Sequence, residues 1–133
     1  MTDPENEVFT RVAEGLREQF PGVNVSGEYV RAPSRFPHVS VVLADCYSLT
    51  DREDSSLREA LTGLLFEVNA YSNKASGRKA ECKRLLDLTG DILARMNFRR
   101  IAQTPVPNLE DGSIYRITAR FRGATDGKFF YRR

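Results

Sequence analysis

The sequence predicts an α+β fold: one mostly antiparallel sheet of about four to five strands, with two helices packed on one of its faces. Two segments repeat apolar residues at three- and four-residue steps, which is typical of amphipathic helices. At least four others alternate apolar and polar residues or are short apolar runs, as strands do. The order is helix, two strands, long loop, strand, helix and two strands. A chain of 133 residues has the length of one domain, so we expect residues 1–133 to form a single domain.

The first helix is predicted to begin beside Asp3. Asp3 is a favourable N-cap residue, and Pro4 suits the first helical position. Pro21 and Gly22 end the segment. The apolar face between these limits consists of Val8, Phe9, Val12, Ala13, Leu16 and Phe20.

Two strands are predicted after this helix. Residues 23–30 alternate between apolar and polar side chains, and residues 31–37, which include two prolines, form a turn or loop. Residues 38–47 contain the run VSVVLA, which is apolar on both faces. Such a run indicates a central strand that a helix covers on at least one side.

Residues 48–62 are polar, acidic and rich in serine, which predicts a long loop or arm. A connection of this length in a small domain often serves binding. Asp51, Glu53 and Asp54 form a carboxylate cluster there, and such a cluster has the ligands for a divalent cation. It lacks the glycine and the distal glutamate of a calcium loop, so a solvated acidic loop is the favoured interpretation.

The third strand and the second helix are predicted next. Residues 63–72 place Leu64, Phe66, Val68 and Ala70 on one face of a strand. Residues 74–98 form the longest predicted helix, with a wide apolar stripe. Gly90 lies inside that helix at a cost of about 1 kcal/mol relative to alanine, which predicts a kink or a close contact with another backbone.

The last two strands contain an arginine row. Residues 99–106 are predicted as an edge strand because two prolines mark its end, residues 108–112 as a turn, and residues 113–122 as the clearest strand of the chain. Tyr115, Ile117, Ala119 and Phe121 form its apolar face. Arg116, Thr118, Arg120 and Arg122 form the other face.

Arginine side chains aligned in this way bind carboxylates or phosphates bidentately. A plain solvated face that discourages edge pairing is the alternative. The aromatic residues of this strand lie on the apolar face, which disfavours a platform for stacking single-stranded nucleic acid. Residues 124–133 are predicted to form a basic aromatic C-terminal extension that ends in Arg132 and Arg133.

The net charge of +2 conceals an asymmetry along the chain. Residues 1–73 carry six arginines, no lysine and twelve acidic residues, a net charge of −6, whereas residues 74–133 carry a net charge of +8. If the two halves form different faces, opposite potentials favour association between copies or with a charged partner. The alternative is that both halves mix in one sheet and the charges interleave.

The sequence lacks the residue patterns of common catalytic sites. The sequence contains no glycine-rich phosphate loop, no zinc-protease motif, no serine-hydrolase motif and only one histidine, so we predict no enzymatic activity and no cofactor. Cys46 and Cys82 are predicted to be buried thiols. At about 3.3 Å per strand residue, His38 lies about 26 Å from Cys46, which excludes that dyad but leaves Cys82 with His38 open.

The chain also lacks the sequence of a membrane span or a secretory signal. No apolar run approaches the roughly 18 residues that a span requires, and the first residues, MTDPENE, lack the basic and apolar regions of a signal peptide. We therefore expect folding in a cytoplasm and no contact with membranes.

Three stretches carry a resemblance to a known family. Residues 66–73 (FEVNAYSN), 74–98 and 103–123 (QTPVPNLEDGSIYRITARFRG) resemble the tail-terminator proteins of tailed bacteriophages, also called tail-completion or minor capsid proteins. The opening helix and the segment GEYVRAPSRFPHVSVV resemble them more weakly. The shared pattern is an "EVNxYSN" strand, a basic helix that ends in an aromatic residue, a proline-rich strand and an "IYRxTARF" strand.

The resemblance implies a structural virion protein rather than an enzyme. Such proteins form a hexameric ring at the head-proximal end of the tail, where they terminate the tail tube and join tail to head, in the virion or, during assembly, in the host bacterial cytoplasm. The implied partners are other copies, the tail-tube protein and a head-completion or neck protein, with DNA passing through the ring. A neck or stopper protein at the portal side and a small basic nucleic-acid-binding module are the alternatives. The residues expected at contacts are Arg116, Arg120, Arg122, Asp51, Glu53, Asp54, Arg132 and Arg133.

Overall fold

A computed structural model of the chain describes residues 3–30, 33–48, 61–107, 112–126 and 129–131. Within these ranges there are two helices and six strands: α1 (Pro4–Gln19), β1 (Asn24–Ser26), β2 (His38–Ser48), β3 (Thr62–Ser72), α2 (Arg78–Arg95), β4 (Arg99–Pro105), β5 (Tyr115–Thr125) and β6 (Phe130–Tyr131). The strands form one sheet in the order β1-β2-β3-β5-β4, and β6 pairs with the end of β5. Of the described pairings, β1 with β2 is parallel and the others are antiparallel. The predicted fold class is confirmed.

Both helices lie on one face of the sheet and contact each other. A Cβ atom added to Gly15 of α1 would lie 2.5 Å from Cδ1 of Ile92 in α2, so the two helices pack closely there. The thiol of Cys82 in α2 donates to the carbonyl of Ala70 in β3, at 3.4 Å. We call this side of the sheet the helix face; its buried strand residues are Val39, Val41, Leu64, Phe66, Val68, Ala70, Ile117, Ala119 and Phe121.

The first helix agrees with its prediction. The Asp3 side chain accepts a hydrogen bond from the backbone N–H of Glu5, at 3.1 Å, and Pro4 occupies the first turn. The apolar residues Val8, Val12 and Leu16 are fully buried. An N-cap of this kind stabilises a helix by about 1 kcal/mol.

The second helix is shorter than the predicted residues 74–98. It begins at Arg78 because Gly77 has a φ of 83°, a left-handed conformation that does not continue a helix. At the other end Asn97 has a φ of 69°, and the backbone N–H of Phe98 turns back to the carbonyl of Leu93, at 2.9 Å. The helix continues through Gly90, the glycine inside it, and a Cβ atom there would contact an arginine side chain rather than another backbone.

Two strands differ from their predicted bounds by two residues or more. The segment 23–30 forms only β1, because its parallel pairing with β2 covers three residues and the chain bends at residues 27–28. β5 continues to Thr125, three residues beyond its predicted end, and β6 pairs with Ala124 and Thr125. Part of the predicted extension 124–133 is therefore strand, and the Phe130 ring lies 5.6 Å from the Phe98 ring.

Some predictions lie outside the described residues. These are most of the loop 48–62 with Asp51, Glu53 and Asp54, most of the turn 108–112, and Arg132 and Arg133. The described part does show whether the acidic and basic halves of the chain form different faces. β3 from the acidic half lies beside β5 from the basic half, and Glu67 pairs with Arg120 at 3.1 Å. The two halves therefore share one sheet, and their charges interleave there.

Candidate interaction face

The side of the sheet opposite the helices is polar, and we call it the open face. The arginine row of β5 lies on it, as the alternation predicted, and faces the odd-numbered residues of β3. Directly opposite pairs in this register are Tyr71 with Arg116, Asn69 with Thr118, Glu67 with Arg120 and Leu65 with Arg122. On the outer sides, β2 contributes His38 and Ser40, and β4 contributes Arg99, Ala102 and Thr104.

Asn69 is the centre of a buried hydrogen-bond network on the open face. Its side chain is fully buried. Its Oδ1 accepts from Nε and Nη2 of Arg116, at 3.0 and 2.8 Å, and from the hydroxyl of Thr118. Its Nδ2 donates to Ser40 Oγ and to Glu67 Oε2, each at 3.2 Å. All the hydrogen-bonding capacity of this amide is thus used inside the subunit.

The guanidinium group of Arg116 is consequently occupied by contacts within the subunit. Besides its two bonds to Asn69, its guanidinium lies over the ring of Tyr29 at 5.0 Å and that of Tyr71 at 5.6 Å. Its Nη1 also donates to the Tyr29 hydroxyl, at 3.1 Å. The sequence pattern is compatible with either a solvated arginine or a ligand-binding arginine; the structure gives this residue an internal role instead.

Arg120 and Arg122 have different surroundings. Arg120 is half exposed and forms an ion pair with Glu67. Arg122 is half-buried, and its Nε is completely buried without a hydrogen-bond partner. Such a buried, unpaired donor is rare and costs free energy.

Arg99 lies directly opposite Arg122 in the pairing of β4 with β5. Periodicity in the sequence does not indicate Arg99, because its place beside Arg122 depends on the register of β4 with β5, which contains a bulge between Arg100 and Ala102. Neither Arg99 nor Arg122 forms an ion pair within 4.0 Å in the described part of the chain. Arg99 and Arg122 therefore lie opposite one another at one end of the open face, and neither pairs with a carboxylate of the described residues.

His38 and Cys82 lie on opposite sides of the sheet, which excludes the pairing that the sequence left open. His38 is buried on the open face, with Nδ1 2.9 Å from Nδ2 of Asn24 and Nε2 3.0 Å from the hydroxyl of Ser26. Burial lowers the pKa of His38 below its ordinary value of 6.5. Burial also raises the pKa of the Cys82 thiol to about 12, so Cys82 stays protonated at neutral pH.

Cys46 is exposed, so the prediction that both thiols are buried is wrong for this residue. β1 pairs with only the first three residues of β2, which leaves the later part of β2 with β3 as its single described neighbour. The register shift between Leu43 and Asp45 occurs in the same part of the strand. An apolar strand sequence alone does not reveal that its far half lies at a sheet edge.

The described residues add two negative findings. They contain no group of three or more histidine, cysteine, aspartate or glutamate side chains placed to hold a metal ion. Neither of the helices in this part of the chain has the length and apolar character needed to cross a membrane.

Comparison with known proteins identifies a similar fold. No protein-family model matches the sequence, and no curated protein matches it. A chain of a solved structure, the virion of a native gene transfer agent particle, matches with a TM-score of 0.68. The match covers 90% of this chain and 91% of that chain at 15% sequence identity. The likeness therefore concerns the fold, and it extends over nearly the whole of both chains.

Proposed function

We propose that the chain is a structural virion protein that assembles as a hexameric ring at the head-proximal end of a phage-type tail. There it ends polymerisation of the tail tube and joins the tail to the head. The observation that carries this proposal is the fold shared with a chain of a gene transfer agent virion over nine-tenths of both chains. The family resemblance of residues 66–98 and 103–123 supports the finer role of a tail terminator.

The chemistry of the described residues supports a structural role. His38 is buried with both ring nitrogens next to polar partners, and Cys82 is a buried thiol whose pKa is about 12. Neither is suited to nucleophilic or proton-transfer catalysis near neutral pH. Arg99 and Arg122 of the open face, which form no ion pair in the described part of the chain, instead provide a surface for contact with another protein, and a ring needs such a surface.

A head-to-tail ring requires two different surfaces on each subunit. The open face, with its arginines, and the helix layer, which carries the acidic helix α1, are two such surfaces on opposite sides of the sheet. The proposed partners are other copies of the chain, the tail-tube protein and a head-completion or neck protein, and the ring leaves a passage for DNA. The proposed location is the virion, after assembly in the host cytoplasm.

Capping of tail tubes tests this function. The purified chain would be added to polymerising tail-tube protein of the same particle, and the tubes would be imaged by electron microscopy. We expect tubes that stop growing and carry a ring of density at one end. Tubes that continue to grow while the chain binds the portal complex would identify a neck or stopper protein.

A nucleic-acid-binding module would give a different result. Binding of a duplex DNA fragment would then weaken steeply as salt increases, because each neutralised phosphate releases counterions. We expect no such binding at physiological salt. Tight, salt-dependent DNA binding without any effect on tail tubes would contradict the proposed function.

A further inference from the structure

Arg99 and Arg122 lie on the open face and have no ion-pair partner in the described part of the chain. The two residues are opposite one another in an antiparallel pair, where Cα atoms lie about 5 Å apart. Like charges in this position destabilise a sheet. The structure nevertheless holds them together, with the Nε–H of Arg122 buried and unpaired.

The other arginines of the open face do not have this property. Arg116 is hydrogen-bonded to Asn69, and Arg120 is paired with Glu67. On the other side of Arg122 lies Leu65, and the next residue along that row, Asp45, is two strands away. At about 4.8 Å between strands, the backbone of Asp45 is roughly 10 Å from that of Arg122, and the Asp45 Oδ1 accepts from the backbone N–H of Cys46.

Two arginine side chains that leave the backbone about 5 Å apart match two carboxylate side chains that leave theirs at a similar spacing. Residues four apart on a helix have Cβ atoms about 5 to 6 Å apart. Glu14 and Glu18 of α1 have this spacing, are exposed, and form no ion pair within 4.0 Å in the described part of the chain. Among the described helices they are the only two carboxylates four residues apart of which neither is in an ion pair, since Asp87 pairs with Arg100 and Glu7 with Arg11.

We propose that Arg99 and Arg122 of one copy bind Glu14 and Glu18 of the next copy. α1 lies on the helix side of the sheet, so this contact joins the open face of one subunit to the helix layer of its neighbour. A contact between unlike surfaces is heterologous, and it closes into a ring when the rotation between copies allows. The inference rests on the proposed ring function, because it names the residues through which the copies meet.

Disulfide trapping tests the contact directly. Arg122→Cys and Glu18→Cys would be combined in a Cys46→Ser background, and the purified protein would be oxidised and separated on a non-reducing gel. The two positions lie on opposite sides of the sheet within one copy, so a bond between them joins two copies. We expect a ladder of linked oligomers.

The matched control replaces the helix position. Arg122→Cys with Asp91→Cys in the same background offers an exposed α2 residue that is in no described ion pair. We expect its linked fraction to be lower by about tenfold, the change that 1.4 kcal/mol of lost contact energy produces. Equal ladders from the two proteins, or no ladder from the first, would overturn the proposal.

Charge exchange identifies the partner of the arginines. Association would be measured by sedimentation velocity at low ionic strength. Arg99→Glu with Arg122→Glu should weaken it by tenfold or more, as should Glu14→Lys with Glu18→Lys, because like charges then meet. The combination of all four changes should restore it. Lys79→Glu with Lys83→Glu, which alters the net charge equally on α2, should leave it unchanged.

Two outcomes contradict the proposal here. If the four changes together fail to restore association while the protein remains folded, Glu14 and Glu18 are not the partners. If the arginine reversal abolishes binding to duplex DNA and leaves association intact, the ligand is a phosphate. Both measurements omit tail tubes, so a failure of the contact is distinguishable from a failure of the capping function.

Discussion

The two faces of the central sheet both contain fully buried side chains, but different forces hold them. On the helix face, Phe66, Val68 and Phe121 are buried by packing against two helices. On the open face, Asn69 and Ser40 are equally buried, and hydrogen bonds satisfy them. Burial in this fold therefore does not mean an apolar environment. The helix face supplies most of the apolar burial, whereas the open face supplies directional bonds that only one arrangement satisfies.

The largest expected effect is on the helix face. Phe66 is fully buried and meets Phe98 edge to face, with ring centroids 5.6 Å apart. Phe66→Ala should lower the free energy of unfolding by about 3 to 5 kcal/mol, because it removes a large side chain and leaves a cavity. Urea denaturation measures this change. Phe129→Ala is the control, since Phe129 is 61% exposed; a similar loss in both variants would contradict the account.

The next largest effect is expected at the centre of the open face. Asn69→Ala removes the acceptor of Arg116 and Thr118 and should cost about 2 to 3 kcal/mol, because buried donors are left unpaired. The double variant Asn69→Ala with Thr118→Val should cost less than the sum of the two single variants, since the change in Thr118 removes one orphaned donor. Simple additivity would show that the network does not act as a unit. The exposed Asn73→Ala is the control.

A pH effect should also arise on the open face. Desolvation lowers the pKa of His38, so below its ordinary pKa of 6.5 the unfolded chain binds a proton that the folded chain resists. The free energy of unfolding should therefore be steady above about pH 7 and fall as the pH decreases through the ordinary histidine pKa of 6.5. His38→Gln should flatten this part of the curve, because the chain has a single histidine. An unchanged slope would mean that His38 is not its source.

The smallest effect is expected for the exposed ion pair of the open face. Arg120 and Glu67 are 3.1 Å apart, but the Arg120 side chain is half exposed, so Arg120→Ala should change the free energy of unfolding by only about 0 to 1 kcal/mol. Thermal unfolding at low and high salt measures this. A loss as large as that of Asn69→Ala would place Arg120 inside the buried network.

Much of the fold follows from local patterns in the sequence. The alternation in residues 63–72 and 113–122 predicted which side chains face the helices, and the Asp3 and Pro4 signals predicted the start of α1. The shortening of β1 was not predictable, because it depends on how far β1 can pair with β2. Likewise, the late start of α2 depends on the conformation of Gly77.

The candidate site was harder to predict than the fold. Sequence spacing placed Arg116, Arg120 and Arg122 on one side of a strand, but it did not show which strand lies beside them. Because β3 pairs with β5, Arg116 lies within hydrogen-bond distance of Asn69, and Arg120 within hydrogen-bond distance of Glu67. The pairing of β4 with β5 brings Arg99 to Arg122 across a bulge. To predict contacts between residues so far apart in the chain, one needs the register of the strands. Hydrophobic periodicity alone does not contain that information.

The buried amide of Asn69 also bears on how the chain selects one alignment of its strands while folding. Successive side chains of a strand point to opposite sides, so a slip of β3 by one residue would exchange its two sets of side chains. Asn69 and Glu67 would then lie on the helix face, and Phe66 and Val68 would lie on the polar open face. Such a sheet would lose apolar burial and leave an amide and a carboxylate without the hydrogen bonds that they have in the native structure. Asn69 therefore makes this one-residue slip of β3 less stable than the native alignment.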